Sequence, residues 1–435
     1  MTHKLSNQLI IERLNQNKNG NAEGVYSICS ANRFVIETGM LKAKNIGQPV
    51  LIEATCNQVN QFGGYTGMTP AKFTSFIFEV ADKCQFPHSQ VIFGGDHLGP
   101  YPWRKLPVQT AMEYSEQMIH DFVMAGYTKI HIDTSMRCED DEKTQPLSDQ
   151  TSAERAVQLC KIAEQTAEET NGIKPFYVIG TEVPLPGGQQ EITNEIEVTK
   201  VEYITDTLQI FRETFQKNGL DSAWSRVRAV VVQPGVEFGE NGIIDYQQKK
   251  AKPLKKFIEH KPDIVYEAHS TDFQRKSNLK RMVEDHFAIL KVGPALTFHF
   301  REAVIALEKI EDELYKKGTT ECMLSNLTQT ILKEMDKYPA DWKNYYSSDD
   351  SQEMNKLFGF SDRIRYYWNL PAVERALEVL INNLQIKPIP LSLLSQYLPT
   401  QFIHIRDQEL EMDAEQIIRD HIGEVIDDYI YACAY

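Results

Sequence analysis

The stretch Val91-Ile-Phe-Gly-Gly-Asp-His-Leu-Gly-Pro100 begins with apolar residues, breaks at two glycines, and sets an aspartate beside a histidine before a Gly-Pro turn. Its apolar start is typical of a strand buried in a parallel sheet. Asp96 and His97 are costly to bury at a strand end, and a metal, a substrate or a partner charge usually offsets that cost. The structural alternative is that Asp96 caps the next helix with His97 as its neighbour.

Short apolar segments like this one recur along the chain and alternate with helical patterns. Besides the opening stretch, strands are predicted at residues 24–29, 49–55, 127–133, 175–182, 227–233, 263–269 and 287–292. Eight strand–helix units in roughly 300 residues predict an α/β protein with a (β/α)₈ TIM barrel. A doubly wound sheet is the competing fold, but it often carries a G-x-G-x-x-G turn after its first strand, which is absent here.

The alternation of strands and helices stops after about residue 318. We therefore predict a barrel with an N-terminal helix over residues 1–318 and a helical C-terminal extension over residues 319–435. Within the extension we expect helices at 321–337, 362–384 and 413–429, a Trp/Tyr-rich connector at 338–350 and a proline-punctuated loop at 388–399.

Composition narrows the cellular setting. A formal net charge of −15 argues against nucleic acid or an anionic membrane as the main partner. Seven scattered cysteines without a C-x-x-C pair suit reduced thiols. The first 21 residues are polar, and no apolar run approaches the ~20 residues that span a bilayer. We expect a cytoplasmic protein that forms oligomers.

Polar residues mark the carboxyl ends of the predicted strands, and in a barrel these ends meet at one mouth. They are Asn57, Asp96, His97, Asp133, Glu182, Gln233, His269 and Lys291. Each has a structural alternative: Asp133 could cap a turn, Gln233 could fill a polar layer, and Lys291 could neutralise a neighbour. Together, so many buried polar groups require a ligand to satisfy them.

Two imidazoles and one carboxylate, His97, His269 and Glu182, suit zinc or a similar divalent ion with an open position. Such a metal would polarise a carbonyl and stabilise an enediolate. Asp96 is then the expected acid/base, with Asp133 and Glu182 as further catalytic candidates. Lys291 is a catalytic candidate for a different reason, since a lysine with a lowered pKa could form a Schiff base.

Substrate contacts are expected from the remaining strand ends and from glycine-rich loops. Asn57 and Gln233 are polar candidates at their strand ends. Gly63, Gly64 and Gly293 could present backbone N–H groups to a phosphate, although tight turns explain them equally well.

Several long motifs resemble the tagatose-bisphosphate aldolase subunit family of the KbaZ/GatZ type. They are Gly-Gly-Asp-His-Leu-Gly-Pro at 94–100, Pro-Trp at 102–103, Ala-Gly-Tyr-Thr-Lys-Ile-His-Ile-Asp-Thr-Ser-Met at 125–136, Gly-Thr-Glu-Val-Pro at 180–184 and Glu-Ala-His-Ser-Thr-Asp at 267–272. The resemblance implies a class II aldolase-like barrel that supports the stability and full activity of a separate zinc-dependent catalytic subunit in galactitol or N-acetylgalactosamine catabolism. The family also carries an older label as a kinase, but this sequence has no Walker-type loop to support that activity.

The resemblance to catalytic class II aldolases is incomplete. Asp96 and His97 match their acid/base and zinc ligand, and Glu182 and His269 match further site positions. At strand six, where those enzymes have another zinc-binding histidine, this chain has Gln233, a poor zinc ligand. Two hypotheses follow. The chain is either a non-catalytic partner of an aldolase subunit, or a metal-dependent 4-epimerase of a ketose or ketose phosphate that works by retro-aldol cleavage and re-closure.

Overall fold

Eight parallel strands form a closed barrel in the computed structural model, which describes residues 2–144, 146–181, 196–315, 323–346 and 352–435. The barrel strands are β1 Val25–Ile28, β2 Val50–Thr55, β3 Val91–Leu98, β4 Lys129–Ile132, β5 Phe176–Ile179, β6 Val227–Val231, β7 Val265–Ala268 and β8 Phe287–Val292. The ring closes where β1 pairs with β8, with Val25 opposite Ile289. The predicted TIM barrel is confirmed.

Helices surround this ring in the expected order. They are α1 Thr2–Lys18, α2 Arg33–Asn45, α3 Pro70–Cys84, α4 Val108–Met124, α5 Asp149–Glu169, α6 Val201–Lys217, α7 Asp221–Trp224, α8 Gln248–Glu259, α9 Lys276–Glu284 and α10 Pro294–Leu314. Local chemistry fixes several starts: the Asn32 side chain accepts the N–H groups of Phe34 and Val35, and Thr69 caps α3 ahead of Pro70. A short antiparallel pair, Glu237–Phe238 with Ile243–Ile244, follows β6 and was not predicted.

The amino-terminal end of the barrel interior is apolar. Ile10 and Leu14 of α1 lie in one buried cluster with the inward side chains of seven strands. Those side chains include Val25, Leu51, Ile92, Phe176, Val178, Ala229, Val231, Val265 and Ile289. Because α1 packs against this layer, it closes the barrel at the end opposite to the site.

The C-terminal extension is helical, as predicted. Its elements are α11 Leu327–Lys337, α12 Gln352–Phe358, a 3₁₀ turn Arg363–Tyr366, α13 Pro371–Ile386, α14 Leu391–Tyr397, α15 Pro399–Arg406 and α16 Ala414–Ala432. Helix α16 packs against α2, α9 and α10, so the extension shares its core with the barrel. The predicted boundary at residues 318 and 319 lies outside the described residues and stays a prediction.

Two predictions for the extension need correction. The proline-punctuated stretch 388–399 is not a loop, because Pro390 precedes α14 and Pro399 occupies its first-turn position in α15, where a missing N–H costs nothing. The helix predicted from residue 362 begins only at Pro371, after the 3₁₀ turn. Among the described helices, none is long and apolar enough to cross a membrane.

Candidate functional site

Four buried side chains meet at the carboxyl end of the barrel. They come from β3, β4 and the end of β7: Asp96, His97, His131 and His269. One nitrogen or oxygen from each lies within 4.8 Å of the others. None of the four is more than 6% exposed, so the cluster is shielded from bulk water.

His97 is fixed by its backbone and by a carboxylate. Its φ of 51° lies in the left-handed region, which is strained for a residue with a side chain and typical of functional positions. Its Nδ1 lies 2.9 Å from Asp133 Oδ2. Burial opposes the charge of Asp133, but hydrogen bonds from His97 and Ser135 lower the pKa of this carboxyl to about 2. Asp133 therefore orients His97 as a permanent anion.

His269 is held in the same way from the other side. Its Nε2 lies 3.0 Å from Glu267 Oε1, and its Nδ1 faces His97 Nε2 at 3.1 Å. Burial lowers the pKa of His269 to about 4, whereas Asp96 and Asp133 outweigh burial and raise the pKa of His97. The two facing imidazoles therefore differ in basicity, and His97 is the more basic of them.

His131 completes the cluster and was missed in the sequence. Its Nδ1 lies 2.9 Å from Asp96 Oδ1, and its buried Nε2 has no hydrogen-bond partner in the described chain. A buried nitrogen without a partner is costly and indicates a missing ligand. Histidines whose outer nitrogens contact carboxylates, with inner nitrogens converging, are typical of metal sites. The residues present thus fit a divalent metal ion.

A layer of buried charges lies directly beneath the cluster. Lys129 Nζ lies 2.8 Å from Glu53 and 2.7 Å from Glu267, and Lys291 Nζ lies 2.5 Å from Glu53 and 3.1 Å from Asp96. Gly94 makes room for this layer, because a Cβ there would lie 2.5 Å from the Glu53 side chain. Glu53, Lys129 and Glu267, all fully buried, were also missed in the sequence.

Lys291 does not have the environment that a Schiff-base lysine needs. Burial favours the neutral amine, but the carboxylates of Asp96, Glu53 and Glu267 outweigh it and raise the pKa of Lys291 well above its usual value. An amine that stays protonated is a poor nucleophile. Its role in this structure is to hold Asp96 ionised, since Lys291 and His97 lower the pKa of Asp96 well below its usual value despite its burial.

The cluster opens into a cavity of about 100 Å³ at the barrel mouth. Six predicted site residues line this cavity: Asn57, Asp96, His97, His269, Lys291 and Gly293. Asp133 lies just behind His97, at hydrogen-bond distance. The C-terminal extension adds Arg365 and Tyr366, which no pattern in the sequence had indicated.

Four residues expected to contact substrate, Gln233, Gly63, Gly64 and Gly293, have other roles in the structure. The side-chain oxygen of Gln233 accepts the N–H groups of Gly235 and Val236, so it shapes a turn and does not line the cavity. The N–H groups of Gly63 and Gly64 bind Asn60, and that of Gly293 binds Asp272. The three glycines therefore offer no free N–H to a phosphate, and they serve close turns. The expected role of Glu182 lies outside the described residues.

Together, the fold and the cluster define a (β/α)₈ barrel protein with a site able to hold a metal at its C-terminal face. Within that class, the chain belongs to the GatZ/KbaZ-like family of D-tagatose-1,6-bisphosphate aldolase subunits, whose model matches residues 10–434. The family resemblance predicted from the sequence is thereby confirmed.

Solved structures similar to this chain include a probable tagatose 6 phosphate kinase from Sinorhizobium meliloti 1021, with 41% identity and a TM-score of 0.85 over 94% of this chain and 100% of that one. More distant is the YdjI aldolase from Escherichia coli K12, with 12% identity and a TM-score of 0.42 over 87% of this chain and 97% of that one. The fructose-bisphosphate aldolase from Campylobacter jejuni has 13% identity and a TM-score of 0.44 over 89% of this chain and 93% of that one. The barrel assignment stands on this chain's own strand pairing.

Proposed function

We propose that this chain is the subunit of a D-tagatose-1,6-bisphosphate aldolase that stabilises a separate class II catalytic subunit and supports its full activity. The family match carries the subunit role. We further propose that the chain acts in cytoplasmic catabolism of galactitol or N-acetylgalactosamine, with a ketose phosphate as ligand. Six described cysteines, all free thiols, are compatible with that reducing compartment.

The proposal includes a divalent metal, zinc in the first place, at this chain's own mouth. One observation carries it: His97 Nε2 and His269 Nδ1 face each other while Asp133 and Glu267 contact their outer nitrogens. Zinc prefers imidazole and carboxylate ligands in such a setting. When bound, the metal supplies a Lewis acid for a carbonyl oxygen.

The chain's own residues would position and move a proton beside that metal. Asp96 Oδ1 is held by His131 and Lys291, and Oδ2 lies on the side of His97, at 3.8 Å from Nε2. Because Lys291 keeps this carboxylate ionised, Asp96 can accept a proton from a ligand hydroxyl. Burial of the cluster excludes water, which strengthens these interactions.

Elemental analysis of the purified protein tests the metal. We expect about one bound zinc per chain in the wild type and its loss in His97→Ala and His131→Ala, since zinc sites need three or four ligands. Gln233→Ala is the matched control, because its side chain lies outside the cluster. Equal metal content in all four proteins would remove this part of the proposal.

A second candidate function is a metal-dependent 4-epimerase of a ketose or ketose phosphate, active without a partner. It is favoured by the complete set of buried ionisable groups at the mouth, which a purely supporting subunit does not need. A kinase is not proposed, although one similar structure bears that name, because the sequence has no phosphate-binding loop of the GxxxxGK type.

Activity assays separate the two candidates. The protein is incubated with zinc or nickel and with fructose and tagatose, as free sugars, 6-phosphates and bisphosphates. Products formed by the protein alone, and lost in Asp96→Asn, would establish the epimerase. Activity that appears only after a class II aldolase subunit is added would establish the supporting role.

A further inference from the structure

Arg365 is a charged residue of the mouth that forms no ion pair with any described residue. The 3₁₀ turn Arg363–Tyr366 of the C-terminal extension carries it to the cavity, where it lies opposite the strand ends of the barrel. Among the described residues, no carboxylate lies within ion-pair distance of its guanidinium, whereas Lys291 in the same cavity contacts Glu53 and Asp96. A half-buried cation without a counter-ion is unfavourable unless a ligand supplies the negative charge.

Hydrogen bonds hold the guanidinium in place while leaving part of it free. Nη1 donates to the carbonyl oxygens of Ser361 and Asp362 at 2.5 and 3.0 Å, and Nη2 donates to the Tyr366 hydroxyl at 2.8 Å. Five N–H groups are available in an arginine side chain, so Nε–H and one N–H of Nη2 have no acceptor in the described chain. Guanidinium N–H groups suit the oxygens of a phosphate.

Two acidic side chains in this region have hydrogen-bond or ion-pair partners other than Arg365. Asp362 pairs with Arg301 at 3.1 Å and accepts the Thr297 hydroxyl at 2.6 Å, so only its carbonyl reaches Arg365. Asp272 lines the same cavity, but its Oδ1 accepts the N–H groups of Gly293 and Ala295. Both carboxylates act on Arg365 only from beyond ion-pair distance, so the guanidinium can still make a direct contact with an anionic ligand.

We infer that Arg365 is the anchor for the phosphate group of a ligand whose other end reaches the His97–His269 cluster. This deepens the proposed function and rests on it, because it specifies a phosphorylated ketose over a free one. It also assigns a role to the extension: the extension supplies the anion-binding part of a site whose remaining side chains come from the barrel.

Binding measurements on the zinc-treated full-length protein test this inference, with fructose 6-phosphate, tagatose 6-phosphate, inorganic phosphate and fructose as probes. In Arg365→Gln we expect about 10- to 100-fold weaker binding of both sugar phosphates and of phosphate, because charge-assisted hydrogen bonds are lost. Fructose affinity should not change. Arg365→Lys keeps the charge but not the planar donors, and an intermediate loss is expected.

Arg212→Gln is the matched control, since Arg212 is exposed on α6, away from the mouth. Circular dichroism and the zinc content of each variant show whether the site is still folded. Equal sugar-phosphate affinity in wild type and Arg365→Gln, or equal affinity of the wild type for fructose and fructose 6-phosphate, would overturn the inference. If the wild type binds no zinc but its phosphate binding still depends on Arg365, the proposed metal is wrong and Arg365 remains supported as the phosphate-binding residue.

Discussion

The two ends of the barrel interior are built from opposite kinds of side chain. At the amino-terminal end, Leu14 of α1 packs with strand residues such as Ile92 and Val178 in an apolar layer. At the carboxyl end, Lys129 and its partners form a fully buried ionic layer under a histidine cluster. Apolar burial stabilises without orientation, whereas buried charges are tolerable only in one arrangement. One end therefore supplies stability and the other a defined geometry.

The largest effect is expected in the ionic layer. Lys129→Met removes the cation between Glu53 and Glu267 and leaves Lys291 as the one lysine in ion-pair contact with the two buried carboxylates, which costs about 3–5 kcal/mol of unfolding free energy. Ile92→Val in the apolar layer is the control, at about 0.5–1.5 kcal/mol. Urea unfolding of the metal-free proteins measures both. A Lys129→Met loss as small as the control would show that the two ends do not differ in this way.

A smaller loss is expected where α1 closes the barrel. Leu14, 2% exposed, leaves a cavity when it is cut to alanine, so Leu14→Ala should cost about 2–5 kcal/mol. Leu9→Ala on the same helix is the control, because Leu9 is 37% exposed and its change should stay within about 0.5 kcal/mol. Zinc affinity should not change in either variant. A drop in zinc affinity for Leu14→Ala would mean that the two ends are coupled.

Asp133 tests the mouth without removing a candidate ligand. Asp133→Asn weakens the contact that orients His97, and zinc affinity should fall about 10- to 100-fold. The surface pair of Asp82 with His88, at 2.7 Å, offers the matched control Asp82→Asn. Competition with a zinc chelator measures both affinities. If Asp133→Asn binds zinc as the wild type does, His97 is not oriented by this carboxylate.

The smallest effect is expected outside the barrel, between α10 and α16. His421 lies 3.3 Å from Glu302 and 3.2 Å from Glu424; burial opposes its charge, but these hydrogen bonds raise the pKa of His421 to about 9. Because the folded-state pKa exceeds the usual 6.5, the added stability is fully present below pH 6.5 and is lost as the pH rises through 9. The cluster is partly exposed, so we expect about 1 kcal/mol.

The free energies of unfolding at pH 6 and pH 9.5 measure the contribution of His421 to stability. The wild type should lose stability over this range relative to His421→Gln, while the exposed His260→Gln should follow the wild type. A His421→Gln curve parallel to that of the wild type would contradict the assignment. Comparing the stability lost in His421→Gln with that lost in Lys129→Met shows how strongly the contribution of an ion cluster depends on its burial.

The sequence predicted the barrel because strand and helix signals are local. The strand predicted at residues 49–55 is observed at Val50–Thr55, and that predicted at 263–269 is observed at Val265–Ala268. The extension was harder, because the prolines near residue 390 were interpreted as breaks although they stand at helix starts. The 3₁₀ turn that brings Arg365 to the mouth has no sequence pattern of its own.

The site was predicted in part for a similar reason. Asp96, His97 and His269 stand at strand ends, where polar residues are conspicuous. His131 and Lys129 lie inside β4, whose alternation of Lys, Ile, His and Ile shows two faces but not which of them is turned to the barrel interior. Only the pairing of all eight strands decides that. Gln233 was misplaced because a local turn took its side-chain oxygen.

Helix α1 closes the amino-terminal end of the barrel, and this limits how a ligand reaches the site. In the described part of the chain, the apolar layer around Leu14 and Ile10 leaves the region of Arg365 and Tyr366 as the side from which the histidine cluster is reached. Among the described residues, the barrel interior is closed at its amino-terminal end and opens to a cavity at its carboxyl end. A ligand beside Arg365 therefore also covers the approach to the histidine cluster that the described residues leave open.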